Sequence, residues 1–193
     1  MTSYSRSQLY GGAITVDLPS SYTDVSNFRQ IPDHQEVFLD KNGFTSIIFD
    51  ITERVGPPGS GPDVDSAALT AHLEDITENE PVRVWNSSST QFSKLPDGTP
   101  AYTLIATSTE PSKTPKSPKF TAIVLTLVRL EKESTDILIT VNVPHQHTDD
   151  VDMEIGKLGK LIEDAIEYST TIWQTFEIHD WDLFNGGSKD DID

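Results

Sequence analysis

The chain of 193 residues contains no cysteine. This absence excludes a thiolate nucleophile, a cysteine-ligated zinc site and a disulfide framework, and it suits a reducing compartment. The sequence also lacks any run of roughly 18 or more apolar residues of the kind that spans a membrane, and its N-terminus lacks the apolar centre of a signal peptide. The length fits one domain of ordinary size. We therefore expect a single soluble, intracellular domain.

Basic residues are also scarce. Fourteen Lys and Arg stand against thirty-one Asp and Glu, so the formal net charge is −17 at pH 7. Such a charge repels a phosphate backbone and an anionic membrane, and we expect neither a nucleic-acid partner nor a membrane partner. A basic protein partner or a cationic ligand suits it better, although an acidic surface can also serve solubility alone.

Three short segments are rich in glycine, proline, serine or charge, which is typical of loops and chain ends. They are residues 54–64, 108–119 and the acidic tail 186–193. We also expect a flexible N-terminus over about residues 1–8. Because no internal repeat or domain linker separates these segments, the whole of 1–193 is predicted to be one domain.

Apolar and polar residues alternate with a period of two in several segments, and this spacing predicts β-strands. The segments are residues 13–18, 36–40, 46–51, 101–107, 120–130 and 136–143, with 81–85 as a further candidate. Links such as the one between 120–130 and 136–143 are too short for a parallel crossover. We therefore expect a mainly antiparallel sheet of about six strands.

Both faces of this sheet need a cover, because residues 120–130 are apolar on both sides. Helical spacing of apolar residues predicts two helices that can supply the cover, over residues 65–79 and 152–176. The expected fold class is α+β, with the sheet sandwiched between helices in three layers.

A dense group of titratable residues, Asp33, His34 and Glu36, follows Pro32 and leads into the strand predicted over 36–40. Three interpretations fit this group. It is a metal or acid/base site, a patch that contacts another macromolecule, or a polar turn in which Asp33 bonds to its own backbone. The residue types alone do not choose between them.

The alternation along 36–40 predicts which side chains are exposed. If Val37 and Leu39 face the core, then Glu36 and Phe38 point the other way. Under this interpretation, the titratable group forms an exposed polar cluster at the end of the sheet, on a rigid element that suits an interaction site.

The segment PHQHTDD, residues 144–150, is a second candidate site. His145 and His147 would share one face of an extended chain, and Asp149 or Asp150 could add oxygen ligands for a metal. The same residues fit a solvated turn before the last helix, whose N-terminus favours negative charge. No nucleophile elbow, P-loop or zinc-protease motif accompanies them, so no class of enzyme is indicated.

A resemblance to a known family covers residues 9–40, which read LYGGAITVDLPSSYTDVSNFRQIPDHQEVFLD. They closely resemble the signature of the Mog1 family, the Ran-binding nuclear import factors also called Ran guanine nucleotide release factors. The matching parts are the opening LYGGAI, Leu18-Pro19, residues 24–26, Arg29 and residues 32–38. Later segments, including residues 178–184, resemble the family more loosely. The resemblance implies an antiparallel sheet between helices, similar to the PsbP proteins of photosystems.

The resemblance also implies a function. Members of this family bind the small GTPase Ran and promote release of its guanine nucleotide in support of nuclear protein import. The alternative is a Ran-binding scaffold of the transport machinery without exchange activity. We expect a monomer in the nucleus and cytoplasm that uses no cofactor or metal and performs no chemical catalysis of its own.

The same resemblance points to a contact surface. The acidic residues of the family motif are implicated in binding Ran, and here they are Asp33 and Glu36. Arg29, Pro32 and Gln35 belong to the same motif and are expected in the patch. His34 stands where family members carry Asn or Thr and is not counted among the required residues.

Overall fold

Strands dominate the computed structural model, which describes residues 2–26, 31–108, 120–145 and 159–185. In chain order the elements are β1 (Tyr4–Leu9), β2 (Ile14–Pro19), β3 (Tyr22–Asp24), β4 (Gln35–Asp40), β5 (Ser46–Glu53), α1 (Pro62–Ile76), β6 (Val82–Ser89), β7 (Ala101–Ser108), β8 (Phe120–Leu130), β9 (Thr135–His145), α2 (Lys160–Thr175) and β10 (Glu177–Ile178). Two short 3₁₀ helices lie at Tyr10–Gly12 and Trp181–Phe184. All the predicted strands are confirmed, including the further candidate at 81–85.

The main sheet has seven strands in the order β3-β4-β5-β9-β8-β7-β6, and every neighbouring pair is antiparallel. Its centre is the long pair β8 and β9, whose register runs from Phe120 opposite His145 to Leu130 opposite Thr135. Antiparallel strands can follow one another through short turns, as the sequence spacing predicted. The predicted α+β fold class is therefore confirmed.

A second sheet corrects two predictions. Strand β2, expected in the main sheet, pairs instead with β1 and β10 in a sheet of three strands. The N-terminus, expected to be flexible over about 1–8, forms strand β1 from Tyr4 onward. The residues of β1 carry no strand pattern because Leu9 is the only fully buried one among them. Backbone hydrogen bonds to β2 hold the strand in place.

Two hydrophobic cores lie on opposite faces of the main sheet. One lies beneath α2 and the small sheet and includes Phe49, Ile172 and Phe176. The other lies beneath α1 and includes Leu69 and Leu125. Successive residues of β8 point into the two cores in turn, which confirms the prediction that residues 120–130 are covered on both faces.

The helix boundaries differ from those predicted. Helix α1 begins at Pro62, so the loop predicted over 54–64 ends at Gly61. Proline at the first turn of a helix has a suitable φ and lacks only an N–H that would have no partner, so the proline-rich composition marked a helix start as well as a loop. The described part of the second helix is Lys160–Thr175, and neither described helix is long and apolar enough to span a membrane. Residues 109–119, 152–158 and 186–193 lie outside the described ranges.

A buried ion cluster ties α1 to the main sheet. The Arg129 guanidinium of β8 donates to Asp65 of α1 at 2.9 Å and to Asp136 of β9 at 3.1 Å. His72 Nε2 lies 2.8 Å from Asp136. Burial opposes ionisation of Asp136, but bonds from His72, the Val55 N–H and Arg129 outweigh it and lower the pKa of this carboxyl.

Candidate functional site

The predicted patch begins in a turn at one end of the main sheet. The Gln35 N–H donates to the Pro32 carbonyl at 2.9 Å, and this bond closes the turn that leads into β4. Pro32, Asp33 and His34 are exposed on it, whereas Gln35 and Glu36 are partly exposed at the start of the strand. Four of the five predicted site residues are thus neighbours along the chain, although the alternation along β4 turns Gln35 and Glu36 to opposite faces of the sheet. The fifth, Arg29, lies outside the described residues.

Asp50 adds a carboxylate that sequence analysis missed. The register of β4 and β5 pairs Gln35 with Asp50, and Gln35 Nε2 donates to Asp50 Oδ2 at 2.8 Å. The other oxygen, Oδ1, lies 3.7 Å from His34 Nε2 and accepts no hydrogen bond in the described part of the chain. The sequence pattern of 46–51 predicts a strand but not its partner. Asp50 is therefore placed in the patch only by the pairing of β4 with β5.

Glu36 is held by the first part of the family motif. The Tyr10 N–H donates to Glu36 Oε1 at 2.6 Å, and the Tyr10 hydroxyl donates to the His34 carbonyl at 3.0 Å. Tyr10 lies at the start of the 3₁₀ helix in which Gly11 and Gly12 have φ of 66° and 93°. Glycine adopts these left-handed conformations without a steric penalty, which is why two glycines follow the tyrosine.

The orientation predicted for strand β4 was wrong. Glu36 and Phe38 point towards the core beneath α2, and Phe38 is 4% exposed and packs edge-to-face on Phe49 at 6.1 Å between ring centroids. Val37 and Leu39 point to the opposite face and are partly exposed. Both alternations along EVFLD contain apolar residues, so the pattern alone could not select the face. The larger aromatic side chain takes the core side, where it buries more area.

The environment of the patch shifts two pKa values. Partial burial raises the pKa of Glu36, the negative charge of Asp24 adds to the rise, and the Tyr10 N–H opposes it. Burial, followed by repulsion from Asp50 and Glu36, raises the pKa of Tyr10. The tyrosine hydroxyl therefore keeps its proton for the bond to the His34 carbonyl.

The second candidate site falls mostly outside the description. His145 ends β9 as a buried residue, with its ring stacked on Phe120 at 4.2 Å and Nδ1 2.9 Å from the Val143 carbonyl. His147, Asp149 and Asp150 belong to the residues that are not described. Within the described ranges, no three His, Asp or Glu side chains are grouped in a way that could hold a metal ion.

Comparison with known proteins places both Tyr10 and the patch at residues 32–36 within one family match. The family model described as Ran-interacting Mog1 protein matches residues 7–144, which include the Tyr10 helix and the patch. The chain belongs to the Mog1 family. A family member in Dictyostelium discoideum, named a probable Ran guanine nucleotide release factor, is 32% identical over 147 residues, which are 72% of this chain and 73% of that protein. The nuclear import protein Mog1 of Saccharomyces cerevisiae is 31% identical over 148 residues, 71% of this chain and 65% of that protein.

Solved structures agree with the fold that the resemblance implied. The Ran-binding protein Mog1p of Saccharomyces cerevisiae matches with a TM-score of 0.76 at 24% identity, covering 95% of this chain and 100% of that one. The cyanobacterial PsbP protein of Synechocystis matches with a TM-score of 0.54 at 13% identity, covering 93% and 94% of the two chains. The predicted Mog1/PsbP-like fold is confirmed.

Proposed function

We propose that this Mog1 protein binds the small GTPase Ran and promotes release of its bound guanine nucleotide in support of nuclear protein import. The observation that carries the proposal is the family match over residues 7–144. The names of the relatives as a Ran guanine nucleotide release factor and a nuclear import protein support the same activity.

The contact surface that we propose is the patch of Pro32, Asp33, Gln35 and Glu36, together with Arg29. Asp33 is an exposed carboxylate of the turn, and Glu36 follows at the start of β4, partly exposed on the face that Phe38 shares. Hydrogen bonds to Tyr10 hold Glu36 and the His34 carbonyl in fixed positions. A rigid acidic surface of this kind suits a cationic partner surface, because less ordering entropy is lost on binding.

Nucleotide release follows from competition for cations. A bound nucleotide is held through its phosphates by cationic groups and Mg²⁺. Carboxylates offered to those cations, or to the loops that position them, weaken the hold on the nucleotide. Linkage makes the effect reciprocal, so bound nucleotide must weaken binding of this protein by the same factor. A thousandfold effect requires about 4 kcal/mol of coupling.

In this role the protein acts as a regulator without chemical catalysis. We propose that it works as a monomer in the nucleus and cytoplasm, with neither nucleic acid nor membrane as a partner. The net charge of −17 supports the last point, because it opposes association with either polyanion.

The test is release of a fluorescent guanine nucleotide from Ran, loaded separately with GDP and with GTP. Wild type is compared with the double variant Asp33→Ala, Glu36→Ala and with a control, Glu74→Gln, which neutralises one exposed carboxylate of α1 far from the patch in sequence. We expect wild type and the control to accelerate release and the double variant to lose the effect. Binding without acceleration at any ratio of the two proteins would instead identify a scaffold, and an unaffected double variant would place the contact elsewhere.

A further inference from the structure

Three apolar side chains of the β4–β5 hairpin lie outside both hydrophobic cores. Val37, Leu39 and Ile48 are partly exposed, and they pack against neither the core beneath α2 nor the core beneath α1. Val37 lies directly opposite Ile48 in the strand register. Leu39 is two residues from Val37 and therefore adjoins it on the same face. We call this surface, formed by Val37, Leu39 and Ile48, the hairpin face.

Helix α1 does not pack on the hairpin face, because it lies over the other half of the sheet. Val55 and, from β6, Val82 adjoin the core beneath α1 while partly buried. The buried residues that share this core with α1 come from β7, β8 and β9, and none comes from β4 or β5. The last of them is Leu138 of β9, which lies opposite Asp50. Within the described ranges, no helix packs on the face of β4 and β5 that carries Ile48.

The hairpin face is continuous with the acidic patch. Moving two residues along the hairpin from the pair of Val37 and Ile48 leads to the pair of Gln35 and Asp50 on the same face, a step of roughly 7 Å. His34 and the turn that carries Asp33 follow immediately, with His34 Nε2 3.7 Å from Asp50. The apolar row therefore leads to the Asp50 carboxylate and to the turn that carries Asp33, whereas Glu36 lies on the other face of β4.

Exposed charges alone make a weak contact. An ion pair between solvent-exposed groups contributes little because water and salt screen it. Protein interfaces gain most of their affinity from a few apolar or aromatic residues that become fully dry, surrounded by a polar rim. The hairpin face supplies the apolar part and the acidic patch supplies the rim.

We propose that the hairpin face is part of the surface that docks the Ran-type GTPase, with Val37 and Ile48 at its apolar centre. This inference rests on the proposed function and assigns a contact role to residues other than the five that the resemblance points to. The partner surface that fits carries an apolar side chain and a cationic group roughly 7 to 10 Å apart. The apolar side chain would contact Ile48, and the cationic group would contact Asp50. Phe44, 70% exposed, lies in the turn between β4 and β5, at the end of the hairpin away from Asp50.

The inference is tested with Ile48→Thr and Val37→Thr. Threonine is β-branched and favours strands, so each change removes apolar surface while keeping the local structure. The matched control is Val84→Thr, because Val84 is a 49% exposed valine on β6 at the opposite edge of the same sheet. The affinity of each protein for Ran, nucleotide-free and GDP-loaded, is measured by titration calorimetry, and thermal unfolding verifies that each variant folds.

We expect Ile48→Thr to weaken binding about tenfold, which corresponds to about 1.4 kcal/mol, and Val84→Thr to bind like wild type. The double variant Asp33→Ala, Glu36→Ala is measured in the same series. If it weakens binding while both threonine variants of the hairpin face bind normally, the hairpin face is excluded and the proposed function stands. Equal losses in Ile48→Thr and Val84→Thr would also exclude a specific role. If wild type does not bind Ran, both proposals fail together.

Discussion

Tyr10 and Glu36 are joined by a hydrogen bond of 2.6 Å from the tyrosine backbone N–H to Oε1 of the carboxylate. The two parts of the family motif, far apart in sequence, are therefore one structural unit. Glu36 consequently holds the 3₁₀ helix of Tyr10–Gly12 in place, and in the contact patch that we propose it also supplies negative charge. A replacement that removes both the hydrogen-bond acceptor and the charge tests both roles at once. A replacement that keeps the acceptor oxygen tests the charge alone.

We expect Glu36→Gln and Glu36→Ala to differ in stability. Glutamine keeps an oxygen for the Tyr10 N–H, whereas alanine leaves a partly buried donor without its partner, at a cost of about 1–2 kcal/mol. Urea unfolding monitored by tryptophan fluorescence measures the difference. Equal stability of the two variants would show that the hydrogen bond contributes nothing in solution. Because glutamine still removes the charge, it is also the better variant for testing the partner contact.

The corrected orientation of β4 gives a second prediction. Phe38→Ala should destabilise the protein by about 3–5 kcal/mol, because it empties a site in the core beside Phe49. Leu39→Ala should cost less than about 1 kcal/mol, since Leu39 is partly exposed and packs against neither core. Chemical denaturation of the two variants compares the faces directly. A larger loss of stability in Leu39→Ala than in Phe38→Ala would instead support the opposite orientation, with Val37 and Leu39 facing the core.

Gly11 and Gly159 form a matched pair for testing backbone strain. A Cβ added at either glycine meets no atom within 4 Å, so neither alanine variant creates a clash with another residue. Gly11 has a φ of 66°, whereas Gly159 has a φ of −64°. Gly11→Ala should therefore cost about 1–2 kcal/mol from the left-handed backbone alone. Gly159→Ala should cost less, because the loss of a favourable N-cap residue is offset by the lower entropy of the unfolded chain with alanine. The denaturant midpoints of the two variants, compared at a common slope, give both changes in the free energy of unfolding. Equal midpoints would mean that the backbone of the 3₁₀ helix relaxes to accommodate the alanine.

The buried ion cluster predicts a specific dependence on pH. Because the folded-state pKa of Asp136 is lowered, its ionised form stabilises the protein above the unfolded pKa of about 3.9, and this contribution is lost as pH falls through the folded value. Asp136→Asn should cost about 3–5 kcal/mol at pH 7, since it removes the buried negative charge that faces His72 and Arg129 and leaves Arg129 with Asp65 alone as its carboxylate partner in the described part of the chain.

Urea unfolding of wild type and Asp136→Asn between pH 7 and pH 3 measures this effect. The gap in stability between them should persist down to about pH 4 and narrow only below it. The exposed Glu74→Gln serves as the control and should follow wild type throughout. A gap that already closes near pH 6 would show that another group governs the cluster.

Much of the main sheet could be predicted because its signal is local. Residues 120–130 and 136–143 are apolar over long runs, and the short link between them requires an antiparallel pair. Strand β1 could not be predicted, because its residues are mostly polar and its stability comes from backbone bonds to β2. Pairing between distant segments leaves no mark in the composition of either one.

The acidic turn was recognisable from the motif, but its surroundings were not. Asp50 enters the patch only through the register that pairs it with Gln35, and Tyr10 enters through a turn that folds back on β4. Both alternate sets of side chains along β4 contain apolar residues. The face to which Phe38 points therefore depends on which side of the strand packs against a core. Sequence patterns predict what each segment forms, whereas contacts between segments decide which residues share a site.

The small sheet has a consequence for the order in which the protein folds during synthesis. Strand β2 pairs Ile14 with Ile178, and Thr15 lies 2.7 Å from His179 through their side chains. Phe176, wholly buried against Phe49 and Phe92, is added to the nascent chain only after the main sheet has been made. The strands of the main sheet therefore leave the ribosome before helix α2, which covers one face of that sheet. Until α2 has been synthesised and packed, this apolar face is exposed and must be kept from contact with other chains. A chain that terminates before Phe176 should remain unfinished and not fold as a shorter domain.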